Sequence, residues 1–266
     1  MTRPSPRQFI DRLRDYPELH QALRVAADSD VVGRFYEFDL ASGFQRIVRL
    51  DTSDTIAYDA YARSRGQAGD TLSPWGLFSR AAEDATVVWL DRLCRVVHTL
   101  NYVSQDGADV PLHLRVHGRL LAAIAQDHGH TFRDMLNALD LSATPIVLQL
   151  PETAIYDAEL ANQLIQSYRK YGFGIALQAS GAPLALARMA AHRPDVMKVD
   201  VRTLGQAAQQ VPELLRAAED AAIQLVFTRI DNADVAHTLA GLGAIFAQGY
   251  FFDIPSARLA EAAVSA

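Results

Sequence analysis

Short uninterrupted apolar runs alternate along this chain with stretches whose apolar residues recur every third or fourth position. The runs at 146–150, 174–178, 196–199, 224–227 and 244–247 read as strands buried on both faces. Between two of them, Leu184, Leu186, Met189 and Ala190 recur at helical spacing. Strand, glycine turn, helix and strand make a βαβ unit, which requires a parallel sheet. The same alternation predicts helices over 158–171, 211–221 and 233–242. Further upstream, 111–116 reads as a strand, and 86–101, 120–125 and 131–139 read as helices. Ser73-Pro74 opens another helix, with serine as N-cap and proline in the first turn, carrying Trp75, Phe78 and Ala82. Strands at 45–48 and 55–62 are separated by the turn Leu50-Asp51-Thr52-Ser53-Asp54, which makes them an antiparallel hairpin.

The chain begins differently. Ile10, Leu13, Tyr16, Leu19, Leu23 and Ala26 lie along one face of an amphipathic helix over 4–27, which Pro17 kinks or splits. That face is a candidate docking surface. Residues 28–43 are polar and turn-rich around an aromatic knot of Phe35, Tyr36 and Phe38, and read as a connector with room for one short strand. Eight strands mostly followed by helices close most simply as an α/β barrel of the (β/α)8 TIM type, with an open doubly wound sheet as the alternative. The organisation expected is an N-terminal helical extension and connector over 1–44, a barrel domain over 45–256 and a fraying tail over 257–266.

Composition narrows the classes. Half of the 266 residues are hydrophobic, enough for one large core. A net charge of −6 argues against nucleic acid or an anionic membrane as partner. No window approaches the length of a transmembrane helix, and the first twenty residues lack a signal-peptide core. The single cysteine, Cys94, forms no internal disulfide and sits in an apolar helix, which suits a cytoplasmic protein. No glycine-rich phosphate loop follows any strand. Lys198 and Asp200 share one face of a strand, so a structural ion pair is favoured over a polar site at a barrel mouth. His128-Gly129-His130 has no third ligand nearby and reads as a solvated loop; His113 and His117 straddle a strand end. Ser180-Gly181 lacks the rest of a nucleophile elbow, and Tyr250-Phe251-Phe252 reads as packing at the barrel floor.

Several of these residues also carry a family resemblance. Gln45-Arg46-Ile47-Val48-Arg49-Leu50-Asp51-Thr52 is similar to the QPIVDL-type opening of the EAL-domain family. Asp59-Ala60-Tyr61-Ala62-Arg63 stands where that family has its signature Glu-Ala-Leu and following arginine. Ser73-Pro74, Phe78, Ala82-Glu83, Leu90-Asp91, Lys198-Val199-Asp200, Gln248-Gly249-Tyr250 and Pro255 follow in the family's order. The resemblance implies a bacterial signalling protein whose barrel has an antiparallel first strand. The family's chemistry is hydrolysis of cyclic-di-GMP with two divalent cations held by carboxylates.

The chain departs from that ligand set. The signature glutamate is Asp59, and the asparagine ligand is Arg115, which repels a cation. The ElTE-type motif keeps Glu152 but replaces its first glutamate by Gln149. The aspartate pair of the DDFG-type loop is Gln178 and Ala179. The EGVE-type segment has Thr228 and Asp231 in its glutamate positions, while Lys198 and Gln248 survive. The expectation is therefore a degenerate former site with no catalytic residue, no metal and no cofactor, in which Arg115 pairs with Asp59 across the barrel mouth. The function expected is non-enzymatic regulation through an unidentified protein partner, with a homodimer compatible. The alternative is a metal-independent cyclic-di-GMP receptor, with Gln45, Arg63, Arg115 and Lys198 as residual contacts. An active phosphodiesterase is the third reading.

Overall fold

The computed structural model describes residues 4–66, 69–106, 108–119, 129–143, 145–155 and 158–260. Two short helices open it, α1 (Pro6–Arg12) and α2 (Pro17–Ala22), followed by β1 (Leu23–Val25) and β2 (Val31–Phe35). Ser5 and Gln8 form a reciprocal capping box at α1, and Pro17 begins α2, so the proline splits the segment. Phe9, Ile10, Leu13, Leu19 and Leu23 are buried in the main core. The apolar face expected to be free for docking is thus already covered by the chain itself.

The connector expected over 28–43 is instead sheet. β3 runs over Phe38–Arg49 and pairs with β4, Thr55–Gly66, along nearly its whole length. Phe35 pairs with Phe38, so the aromatic knot is a hairpin turn, with Tyr36 in the left-handed region at φ 50°. Asn101 fixes this arm: its side chain accepts from the Val31 amide at 2.6 Å and donates to the Val31 carbonyl at 2.8 Å. The polarity of the segment hid a strand because its buried positions, such as Val31, Phe35, Phe38 and Leu40, are spread among turn residues.

The barrel continues with β5 (Leu112–Arg115), β6 (Ile146–Leu150), β7 (Gly174–Ala179), β8 (Val196–Asp200), β9 (Gln224–Thr228) and β10 (Phe246–Ala247). Neighbours run β3-β10-β9-β8-β7-β6-β5-β4, and β4 pairs back to β3, so eight strands close. β3 is antiparallel to both its neighbours, and the other barrel pairs are parallel. Around it lie α3 (Pro74–Ser79), α4 (Asp84–Val103), α5 (His130–Ala138), α6 (Ala158–Lys170), α7 (Ala182–His192), α8 (Val211–Asp220) and α9 (Ala233–Gly241). Ser73 caps α3 as expected, but that helix ends before Ala82, and Trp75 is 80% exposed. The helix expected over 120–125, His128 and the end of the tail lie outside the described residues.

Alternation along the strands divides the barrel into two environments. Leu112, Leu114, Leu148, Leu150, Ile175, Leu177, Met197, Val199, Leu225 and Phe227 face outward into the core shared with the helices. Each such side chain contributes about 1.5–3 kcal/mol when fully buried. Inside, Ile47, Ala57, Val147, Ala176, Val196 and Val226 form a separate apolar layer. Two positions from each, toward the same end of the barrel, stand Gln45, Asp59, Gln149, Gln178, Lys198 and Thr228. The interior is therefore a dry plug capped by a polar layer. That cap lies at the C-terminal ends of the parallel strands, where barrels of this type place their sites.

Candidate functional site

The polar layer floors a cavity of about 770 Å³. Gln45, Asp59, Tyr61, Arg63, Arg115, Gln149, Gln178, Lys198, Thr228, Asp231 and Gln248 line it, together with Arg202, Arg229 and Tyr250. Structure thus brings together the expected site residues except Ala179 and Glu152. Ala179 is fully buried among the outward-facing core residues, because it is one position out of phase with Gln178.

Lys198 and Asp59 centre the floor. Their side chains are 2% exposed and the ammonium lies 2.5 Å from the carboxylate. Lys198 also donates to Gln149 Oε1 at 3.0 Å, and Gln149 donates in turn to Gln178 Oε1 at 3.1 Å. Asp59 accepts further from Gln248 at 3.1 Å and from the Tyr61 hydroxyl at 3.4 Å. Gln45 accepts from Tyr61 at 3.2 Å and donates to the Asp253 carbonyl at 2.7 Å. Burial alone would raise the Asp59 pKa; Lys198, His113 and Arg115 outweigh it and hold the carboxylate down to about 2. His113 Nδ1 lies 3.6 Å from Asp59. Burial, reinforced by Lys198, pulls that imidazole down to about 3, so it is neutral at physiological pH.

The expected pairing of Arg115 with Asp59 is not what forms. Strand register sets Asp59 beside His113, which places Arg115 a further two residues toward the mouth, about 6.6 Å up the strand. Lys198, on the strand opposite β4 in the closed ring, reaches the carboxylate first. Arg115 is exposed and lies over the Tyr61 ring, 4.8 Å from its centroid. Nor do Lys198 and Asp200 pair with each other. Asp200 binds Arg202 at 2.7 Å, and that hydrogen bond holds its pKa below the usual carboxylate value.

The remaining expected residues have other duties. Glu152 accepts from both the amide and the hydroxyl of Ser180, at 3.0 and 2.8 Å, and so ties down the turn after β7. Thr228 donates to the Val199 carbonyl at 3.3 Å. Arg63 donates to the Pro255 carbonyl. Asp231 is exposed at the rim. His117 stacks on Phe78 with ring centroids 4.0 Å apart, away from His113's role. Tyr250 and Phe251, expected to pack at the floor, are 65% and 45% exposed, and Tyr250 lines the mouth. Cys94 is buried and free. The sequence pattern gives Tyr61, Arg202 and Arg229 no place in the site, and weighs His113 only as a ligand pair with His117. Tyr61 was accessible through strand period, two residues beyond Asp59; His113 depends on pairing between distant strands.

This donor set does not suit a divalent ion. Two of the described cavity-lining residues, Asp59 and Asp231, are carboxylates, and Asp59 already faces an ammonium. Among the described residues, no group of three or more His, Cys, Asp or Glu side chains could hold a metal. Neutral amides stand there instead: Gln149 accepts from Lys198 and donates in turn to Gln178.

A closed eight-stranded barrel with one antiparallel strand and a polar cavity at its C-terminal mouth defines a TIM-like α/β protein. Residues 37–255 match the EAL domain, and the chain belongs to that family. The sequence matches no curated protein closely enough to count as a relative. Among solved structures, the chain is similar to the manganese and cyclic-di-GMP complex of Klebsiella pneumoniae BlrP1, with TM-score 0.73 and 20% identity over 84% of this chain and 57% of that one. BlrP1 with FMN and cyclic-di-GMP but no metal ions gives TM-score 0.66 and 17% identity over 84% and 55%. The Xanthomonas citri FimX EAL domain in complex with cyclic-di-GMP gives TM-score 0.69 and 18% identity over 96% and 95%. The chain spans a little over half the length of the BlrP1 chains it matches. Among the described residues, no helix is long and apolar enough to cross a membrane.

Proposed function

We propose that this chain is a non-catalytic EAL-domain regulator that binds cyclic-di-GMP in the barrel mouth without a metal ion. The charge of the cavity carries this reading. Arg63, Arg115, Lys198, Arg202 and Arg229 line it against Asp59 and Asp231, and the strongest anion is already neutralised by Lys198. Such a surface repels divalent cations and attracts phosphates. BlrP1, of the same fold, is known with cyclic-di-GMP in the absence of metal ions, which supports a metal-free binding mode. Hydrolysis in this family needs a cation to activate water, and the floor offers an ammonium in its place. Isothermal titration with cyclic-di-GMP in EDTA tests the proposal: micromolar or tighter binding supports it, and absence of heat refutes it.

A second reading is a regulator that recognises a protein partner and ignores the dinucleotide. The exposed apolar side chains Tyr250, Phe251 and Ile254, in the loop after β10, favour it. The same titration separates the two.

A further inference from the structure

We propose that Arg115, held over the Tyr61 ring, and Arg229, which lines the same cavity, together bind one phosphodiester group, supplying the charge that a metal pair would otherwise provide. The proposal rests on the receptor reading above and assigns the contact within that cavity. All three residues line it.

Tyr61 fixes one side. Its ring lies under the Arg115 guanidinium at 4.8 Å, and an Arg115 N–H approaches the Tyr61 oxygen at 3.5 Å. A cation over an aromatic face is held in orientation without losing its charge. Among the described residues, Arg115 has no carboxylate partner in contact, so its fork of donors stays open to the cavity.

Arg229 forms the other side. It follows β9 directly and takes a left-handed backbone, φ 65°. That conformation is strained for a non-glycine residue, and strain of this kind clusters at functional sites. The carboxylate nearest to it, Asp200, is 3.9 Å away and already bound by two Arg202 nitrogens at 3.1 and 2.7 Å. Arg229 is 54% exposed and incompletely neutralised. Both arginines act on the same phenol: burial and then Asp59 push the Tyr61 pKa up, and Arg115 and Arg229 both oppose that rise. Two guanidinium groups lining one cavity, neither fully neutralised by a carboxylate, suit a tetrahedral anion with two free oxygens.

The test is titration of wild type, Arg115→Ala and Arg229→Ala with cyclic-di-GMP in EDTA. Both arginines are exposed, and retained thermal midpoints would confirm that the variants fold. Each substitution should weaken binding roughly tenfold or more, and Arg115→Lys should recover only part of the loss because it lacks the planar fork. If wild type binds and both alanine variants bind within twofold of it, the two-arginine site is wrong. If wild type does not bind the dinucleotide, the receptor reading itself fails. The two-arginine site is then judged with inorganic pyrophosphate: a thermal shift in wild type that both variants lose supports it, and equal shifts, or none, overturn it.

Discussion

Lys198 and Asp59 meet across the full width of the barrel. Their strands, β8 and β4, stand four places apart in the eight-membered ring, and their charged atoms lie 2.5 Å apart beneath the cavity. Gln149 and Gln248 complete the shell around the pair. A lysine ammonium is thus the resident cation of this floor. Removing one member leaves the other charge buried and uncompensated. Lys198→Met should therefore destabilise by about 3–5 kcal/mol. Adding Asp59→Leu should restore part of that loss, since the orphaned carboxylate goes too. Urea denaturation of Lys198→Met, Asp59→Leu and the double variant measures the coupling; additive losses would show that the two residues do not interact.

Acid should unfold the protein earlier than its carboxylates alone would dictate. His98 and His113 are buried, and burial pulls them from an ordinary 6.5 to about 4 and about 3. With folded values depressed, the stability they confer is complete above pH 6.5. It is lost as pH falls, because the unfolded chain takes up protons that the folded chain refuses. Asp59, held down to about 2 from 3.8, adds a further loss below pH 3.8. The thermal midpoint should fall steadily from pH 6.5 to pH 4, and His98→Gln should flatten that slope. A midpoint independent of pH across this window would contradict the burial of both imidazoles.

The barrel was legible because its strands are short and apolar on both faces, and residues 146–150 show this plainly. The site was partly legible. The positions of Asp59, Gln149, Gln178, Lys198 and Gln248 follow from motif order and strand period, and all five reach one layer. Partner choice was not legible. Whether Arg115 or Lys198 reaches Asp59 depends on the stagger between β4 and β5, a non-local quantity that no single segment encodes. Ala179 was misplaced by treating adjacent residues as one motif, although neighbours on a strand face opposite ways. The arm over residues 31–44 reads as a connector because its buried apolar residues, Val31, Val32, Phe35, Phe38, Leu40 and Phe44, are interrupted by polar and turn residues.

Gly249 should tolerate no side chain. A Cβ there would lie 2.0 Å from the Ile230 carbonyl oxygen and 2.4 Å from its nitrogen. This close passage sets Gln248, whose carbonyl accepts from the Ile230 amide while its side chain donates to Asp59. Gly249→Ala should cost about 1–3 kcal/mol through forced backbone shifts. Chemical denaturation checks it, and an unchanged midpoint would mean the two backbones do not approach so closely.

Glu152 should govern the turn after β7. With its carboxylate removed, the Ser180 amide and hydroxyl lose their common acceptor. Hydrogen exchange at Ser180 and Gly181 should quicken in Glu152→Ala while the β7 amides stay protected. Equal exchange in both proteins would assign the turn's order to other contacts.

On the proposed reading, this barrel mouth is built for an anion and not for a divalent cation. Electron paramagnetic resonance of manganese, titrated into the protein with cyclic-di-GMP present, tests it most directly. The manganese signal should stay that of the free aqueous ion throughout. Stoichiometric loss of that signal, abolished by Asp59→Ala, would contradict it.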